Sequence, residues 1–318
     1  METAEKTEGQ AMETADEAVR GCAETTEKTG RKHINTSKET AGEARTAGEA
    51  EAGDGAPGMA DADREILPLP GFAQRLYENG YFRQEELKFA DCDRHKRLRM
   101  ASLLSILAAF GGYDYDARGL THEKLSELRT VFLLSRAAVR VFRTPVYREV
   151  LDIRTWEDGP RGPHFRRVFE LRDRDGALCA AAKTDWILVD PVSRKILRPA
   201  AFTARTPGTC PVTIDCPDPK KIRLPREGGE DLGTRRVAWS DLDGNGHLYS
   251  GNYGDIVWDY LPPDLRELPA ADFFINYHKE AALDEELRLS GWRTEGGFLM
   301  EGQGRSGPCF AAECVFAR

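Results

Sequence analysis

The chain carries the same pattern twice, and this constrains its fold more than any other feature. Residues 91–110 read DCDRHKRLRMASLLSILAAF and residues 241–260 read DLDGNGHLYSGNYGDIVWDY. At an offset of 150, Asp91 and Asp93 meet Asp241 and Asp243, and Leu98 meets Leu248. Leu103, Ile106, Leu107 and Phe110 meet Tyr253, Ile256, Val257 and Tyr260, each set spaced i, i+3, i+4, i+7 along one face of an amphipathic helix. Ser102 and Asn252 stand just before these faces, where N-caps are expected.

The segments beyond the two helices match as well. Residues 147–156 alternate apolar and polar side chains and end in Trp156; residues 283–292 do the same at an offset of 136 and end in Trp292. Both read as half-buried strands. Further strands are expected over 165–171 and 177–189, joined through Asp175-Gly176, and over 297–302 and 309–316, joined through Gly304 to Gly307. Residues 199–225 hold six prolines and read as a linker. Each half is therefore expected to be α+β, an antiparallel sheet wrapped around one long helix.

The duplication leaves the N-terminus unexplained. Residues 1–60 contain no Leu, Phe, Trp or Tyr and cannot bury enough apolar area to offset chain entropy, so a disordered tail is expected over 1–62. Residues 1–60 hold 13 acidic and 7 basic residues, and the rest of the chain is close to neutral, with 38 basic and 40 acidic. No apolar stretch comes after Met1 as a secretory signal would require, and Met59 is a plausible alternative start. The longest apolar run, Ala101 to Phe110, is far short of the roughly 20 residues of a spanning helix, so no membrane association is expected. Seven scattered cysteines without a C-x-x-C fit a reducing cytoplasm better than a disulfide framework or a zinc site.

Function should sit where the copies diverge in polar chemistry. The first has His95 and Arg97 where the second has Asn245 and His247. On an extended segment, Asp243, Asn245 and His247 would share one face beside a helix N-terminus, a setting suited to polarising a carbonyl. The run Asp241-x-Asp243-x-Asn245-Gly246 also resembles a calcium loop, but Asn252 stands where a bidentate Glu is needed and a strand-like segment precedes it. No metal or cofactor is expected. Nor is nucleic-acid binding, since no motif or aromatic interleaving supports it.

From about residue 65 to the end, the chain resembles the acyl-acyl-carrier-protein (acyl-ACP) thioesterases, a family of tandem hotdog domains. The family signature, close to D-x-D-x-N-x-H-V-N-N-x-x-Y with Y-x-x-E downstream, is matched by Asp241 to Tyr253 and by Tyr277-His-Lys-Glu280. Thr155-Trp156, residues 166–172 and Trp186 to Asp190 resemble its first domain. The resemblance implies a double hotdog. Residues 63–200 would form an N-terminal domain with the acyl-chain pocket, 201–232 a proline-rich linker, and 233–318 a catalytic domain. It implies a catalytic group of Asp243, Asn245, His247 and Glu280, and a substrate-binding lining of Leu103, Ile106, Leu107 and Phe110. Tyr249-Ser250 replaces the Asn pair, and Ala281 replaces the cysteine of plant members, so no cysteine nucleophile is available there.

The function so implied is hydrolysis of fatty acyl-ACP in the cytoplasm. Glu280 would be the general base and Asn245 and His247 the groups that polarise water and carbonyl. Acyl-CoA hydrolysis on the same fold and non-catalytic acyl binding are the alternatives. Each site residue also has a structural reading: His247 as a packed histidine, Asn245 as a turn residue, Glu280 as a solvated strand residue, Asp243 as an orienter and the helix face as plain core. Arg94, Lys96, Arg97 and Arg99, or Arg136, Arg140 and Arg143, could receive an acidic carrier protein. Monomer and homodimer are both compatible with two hotdogs in one chain.

Overall fold

The computed structural model describes residues 73–209 and 212–317; the expected tail over 1–62 lies outside the described residues. Strands β1 (Gln74–Tyr77) and β2 (Gly80–Glu86) precede helix α1 (Met100–Ala117) and the short α2 (His122–Glu127). Then come β3 (Val131–Val141), β4 (Val150–Arg161), β5 (His164–Arg172), β6 (Leu178–Val189) and β7 (Ile196–Leu197). The second half holds β8 (Glu230–Arg236), α3 (Asn252–Tyr260), α4 (Pro263–Arg266), β9 (Ala270–Tyr277), β10 (Glu286–Thr294), β11 (Gly297–Gly304) and β12 (Gly307–Phe316).

All the strands belong to one antiparallel sheet in the order β1-β2-β4-β5-β6-β3-β9-β12-β11-β10-β8, with β7 on β6. The order reads as two copies of one layout joined head to head. The joint is β3 on β9, in register from Arg136↔Asn276 to Arg140↔Asp272.

Alternation along these strands divides the apolar residues between two faces. Ala137, Val139, Leu151, Ile153, Leu287 and Leu289 pack beneath α1 and α3 in the main core. On the opposite face, Trp156, Val168 and Ala181 meet Ile214 and Cys216, while Trp292 packs with Phe274, Leu299 and Ile222. The proline-rich connection is therefore a strap lying across the outer face of both halves. Asn276 holds it in place, accepting the Ile222 N–H at 2.8 Å and donating to Lys220 O at 2.9 Å. The repeated tryptophans, which sequence alone marks only as strand ends, are its docking points.

The helices differ from expectation in three respects. α1 runs 18 residues, but α3 stops after nine because Pro262 and Pro263 come directly after Leu261. Ser102 lies inside α1, whose N-cap is Arg99, and Asn252 is the first residue of α3, whose N-cap is Gly251; neither caps. The two helices also meet each other. A Cβ on Gly254 would sit 2.7 Å from Ala101 N and 2.8 Å from Ala101 Cα, both backbone atoms that cannot rotate away. Gly254→Val should therefore lower stability by about 1–3 kcal/mol, the cost of overpacking, read from the urea midpoint.

α1 is anchored at its far end by buried charge. Asp114 is wholly buried and pairs with Arg167 at 2.8 Å and Arg118 at 2.9 Å. Glu157, also buried, accepts from the Tyr115 hydroxyl at 2.9 Å, Arg205 at 2.6 Å and the Gly208 N–H at 2.7 Å. Burial works against the Arg167 charge, but Asp114, Tyr115 and Glu157 together hold its pKa above the ordinary value. Arg118 continues to the carbonyls of Tyr77 and Glu78, tying the helix to the β1–β2 turn.

Candidate active site

The loop that carries the motif is built alike in both halves. In the second, Trp239–Asp241 forms a 3-10 turn capped by its own Asp241, which accepts the Ala238 N–H at 2.7 Å; in the first, Asp91 accepts the Lys88 N–H at 2.8 Å. Asp243 then closes a tight turn. Its N–H reaches His247 O, and its carboxylate accepts the N–H groups of Asn245 (2.8 Å) and His247 (3.3 Å). Gly246 sits at φ +82°, in the left-handed region that glycine occupies without steric penalty.

The segment is thus a turn and not the extended run expected from its alternation. Asp243 is directed into the loop backbone as an orienter, and Asn245 is exposed at the tip. The calcium reading fails on the same bonds: Asp243 is engaged by backbone N–H groups, and Asp241 accepts two hydrogen bonds from Arg235 at 2.8 and 2.9 Å.

His247 forms a bridge with Ala282, and the Leu248 N–H donates to Ala281 O. This pairing brings Glu280 alongside, with His247 Nε2 and Glu280 Oε2 3.3 Å apart. Their side chains are 21% and 31% exposed, which leaves the pair open to water and to a reactive group. Glu280 stands three residues beyond the end of β9, so it is loop-borne where a strand was expected. His278 is half-buried and donates its N–H to Cys309 O.

Three hydroxyls near the site are given no role by the sequence motif. Tyr249, in place of the first Asn of the motif, lies against Ser105 of α1, and burial raises its pKa. The Tyr277 hydroxyl donates to Ser250 O at 3.0 Å and is likewise raised by burial. The one signal for Ser105 is its place one turn beyond Ala101 on the helix, but which half it faces depends on packing. The N–H groups of Asn252 and Gly254 are taken up by Tyr249 O and Gly251 O, so α3 offers the site the positive end of its dipole.

Of the expected substrate lining, Leu103, Leu107 and Phe110 are buried in the main core and Ile106 packs against it. Neither basic run is an open patch. Arg94 and Arg97 pair with Glu267 and Asp93, Arg99 with Asp255, Arg140 with Asp215 and Asp272, and Arg143 with Glu149 and Asp173.

Among the described residues, Glu149, Asp173 and Cys179 lie close enough to share a metal ion, but Arg143 is inserted among them with bonds to all three. The described cysteines are free thiols, and burial pushes Cys309 and Cys216 up to about 12, far from a nucleophile's range.

Residues 78–201 match the acyl-ACP thioesterase N-terminal domain family. Over that span, less than half of its length, the chain resembles the acyl-ACP thioesterases. Among solved structures, it is similar to an acyl-ACP thioesterase of Bacteroides thetaiotaomicron at 22% identity and a TM-score of 0.66, covering 75% of this chain and 98% of that one. A 12:0-ACP thioesterase of Umbellularia californica gives 16% and 0.64, covering 76% and 98%. A putative oleoyl thioesterase of Lactobacillus plantarum gives 18% and 0.62, covering 75% and 97%. At these identities the structures establish the fold, a double hotdog. No curated protein sequence matches the chain. The matched family is one of thioester hydrolases. The matched span includes α1 and the buried Asp114, Glu157 and Arg167, while His247 and Glu280 lie beyond it. No helix among the described residues is long and apolar enough to cross a membrane.

Proposed function

We propose that this protein hydrolyses fatty acyl-ACP to free fatty acid in the cytoplasm, with His247 and Glu280 at the reaction centre. The observation that carries the reading is the 3.3 Å approach of His247 to Glu280 at a half-exposed position, beside the start of α3. Glu280 takes a proton from a water molecule, and the resulting hydroxide adds to the thioester carbonyl carbon. Asn245 and the positive end of α3 stabilise the oxyanion. The tetrahedral intermediate then collapses, the C–S bond breaks, and the proton returns through His247 to the departing thiolate. Asp243 acts on none of these atoms; it fixes the loop that sets His247 against Glu280.

Water as the nucleophile agrees with the side chains in place. Ala281, fully buried, occupies the position of the plant cysteine, and Cys309 is too strongly protonated to substitute. The acyl chain would enter between α1 and the loop, past Ser105 and Tyr249, with Leu103, Ile106, Leu107 and Phe110 shaping the apolar wall from behind. The test is thiol release from acyl-ACP and from acyl-CoA over a series of chain lengths. Release from acyl-ACP with a higher kcat/KM than from acyl-CoA is expected. The reverse preference assigns the protein to CoA esters, and release from neither leaves an acyl-binding protein.

A further inference from the structure

The loop of the first half repeats that of the catalytic half bond for bond, yet its chemistry is inverted. Asp93 accepts the N–H groups of His95 (2.8 Å) and Arg97 (2.9 Å), as Asp243 does for Asn245 and His247. Arg97 forms a bridge with Val146 as His247 does with Ala282, and the Leu98 N–H donates to Pro145 O as that of Leu248 does to Ala281 O. Lys96 even holds the positive φ (60°) that Gly246 holds in the other copy. These correspondences set Arg97 at the place of His247 and Thr144 at the place of Glu280. The imidazole has become a guanidinium, and the carboxylate base has become a neutral hydroxyl. Such a site has lost its base and gained cationic donors.

It also opens into a cleft of about 460 Å³ lined from both halves, within the range of about 300–1,000 Å³ usual for small-molecule sites. Leu98, Leu103, Val141, Trp258, Leu268 and Pro269 give it apolar walls, and its ionisable residues are Arg94, His95, Arg97, Arg99 and Arg266 together with Asp93, Asp255, Asp259 and Glu267. Among these carboxylates Glu267, from the second half, bridges Arg94 and His95. Glu267 Oε1 is 2.6 Å from Arg94 Nη2, and its Oε2 is 2.8 Å from His95 Nε2 and 4.0 Å from an Arg97 nitrogen.

We propose that this cleft is a second, non-hydrolytic ligand site for the carboxylate of a fatty acid, and that Glu267 is the resident carboxylate the ligand displaces. The acid's headgroup takes the bonds of Glu267 to Arg94 and His95, and its chain lies along Leu103, Val141 and Trp258. The choice of ligand rests on the reading of this protein as a thioester hydrolase, which makes such an acid its product. The cleft's own chemistry, an arginine and a histidine joined by one exposed, exchangeable carboxylate beside an apolar trough, asks for the same class of molecule.

The full chain is titrated with terminally brominated dodecanoate, and quenching of Trp258 is read as the difference between the parent protein and Trp258→Phe. Saturable quenching is expected. Glu267→Gln should tighten it about tenfold or more, since the ligand no longer competes with an internal charge-assisted pair, and Arg94→Glu should abolish it. Brominated dodecanol, without the carboxylate, should not saturate. Quenching identical in parent and Trp258→Phe overturns the proposal, as does a midpoint unmoved in both Glu267→Gln and Arg94→Glu. Both substituted residues are substantially exposed, so the fold tolerates their change. The readout involves no turnover. A protein that fails to release thiol from any ester sinks the hydrolase reading while leaving this result to stand on its own.

Discussion

Glu280→Gln should lower kcat on the best acyl thioester by about 10²–10⁴-fold, the range of a lost general base, with the melting temperature unchanged. The substitution keeps the side chain's size and its contact with His247, but the amide cannot accept a proton from water. The side chain is 31% exposed on a loop, outside the packed core, so the fold accommodates the change. KM should move little, because the carboxylate acts on water and not on the ester in the ground state. His247→Ala should fall in the same range, and the double variant should be little worse than either single one. Side chains that work as a unit are lost once. Asn245→Ala, which removes one oxyanion donor, should cost about 10²–10³-fold. Parent rates in Glu280→Gln would overturn the assignment. A double variant whose losses multiplied would mean that the two groups act independently.

Asp114→Ala should have the largest effect on stability, about 3–5 kcal/mol, because it leaves a buried arginine charge without its partner. Arg167 is buried to 6% exposure, with Asp114 2.8 Å away and Glu157 at 3.8 Å. The loss is a large part of the roughly 5–15 kcal/mol that holds an ordinary domain together. Chemical denaturation measures it directly. The combined change Asp114→Leu with Arg167→Met should recover much of the loss, since an apolar pair of similar volume carries no desolvation penalty. If Asp114→Ala shifts the midpoint by less than the equivalent of about 1 kcal/mol, below the range for a broken buried pair, the network is not what anchors α1. The outcome bears on the proposed function because α1 carries Ser105 to the motif loop of the other half.

Much of this architecture is legible in the sequence wherever local periodicity encodes it. The helix faces from Leu103 to Phe110 and from Tyr253 to Val257, and the strands that became β4, β5, β6, β10, β11 and β12, are marked by alternation and turn residues. The seam strands β3 and β9 are not. Residues 131–141 and 270–277 carry apolar side chains for the helix face and the strap face alike, so no alternation marks them. The strap is illegible for a similar reason: prolines mark a connection, but nothing local says which surface Ile214 and Ile222 will cover.

In the candidate site, sequence order and type bring His247 and Glu280 forward, and the fold sets them side by side across 33 residues. The inward turn of Asp243 required knowledge of the backbone, because an Asx-type turn and an extended strand share the same residue types. Asp114 and Arg167 stay hidden because charges on an amphipathic pattern read as solvated faces, and only three-dimensional burial shows otherwise.

The β3–β9 joint also decides how the protein can assemble. Either half alone would present a seam strand with a bare row of N–H and C=O groups, an edge that templates pairing with another chain. Within one polypeptide the two edges satisfy each other at a fixed effective concentration. The sheet instead ends at β1 and at β8, whose Glu230, Asp231, Arg235 and Arg236 form the kind of charged edge that discourages further strands. The pairing of its halves, and with it the contact of α1 with the His247 loop, therefore persists at any dilution.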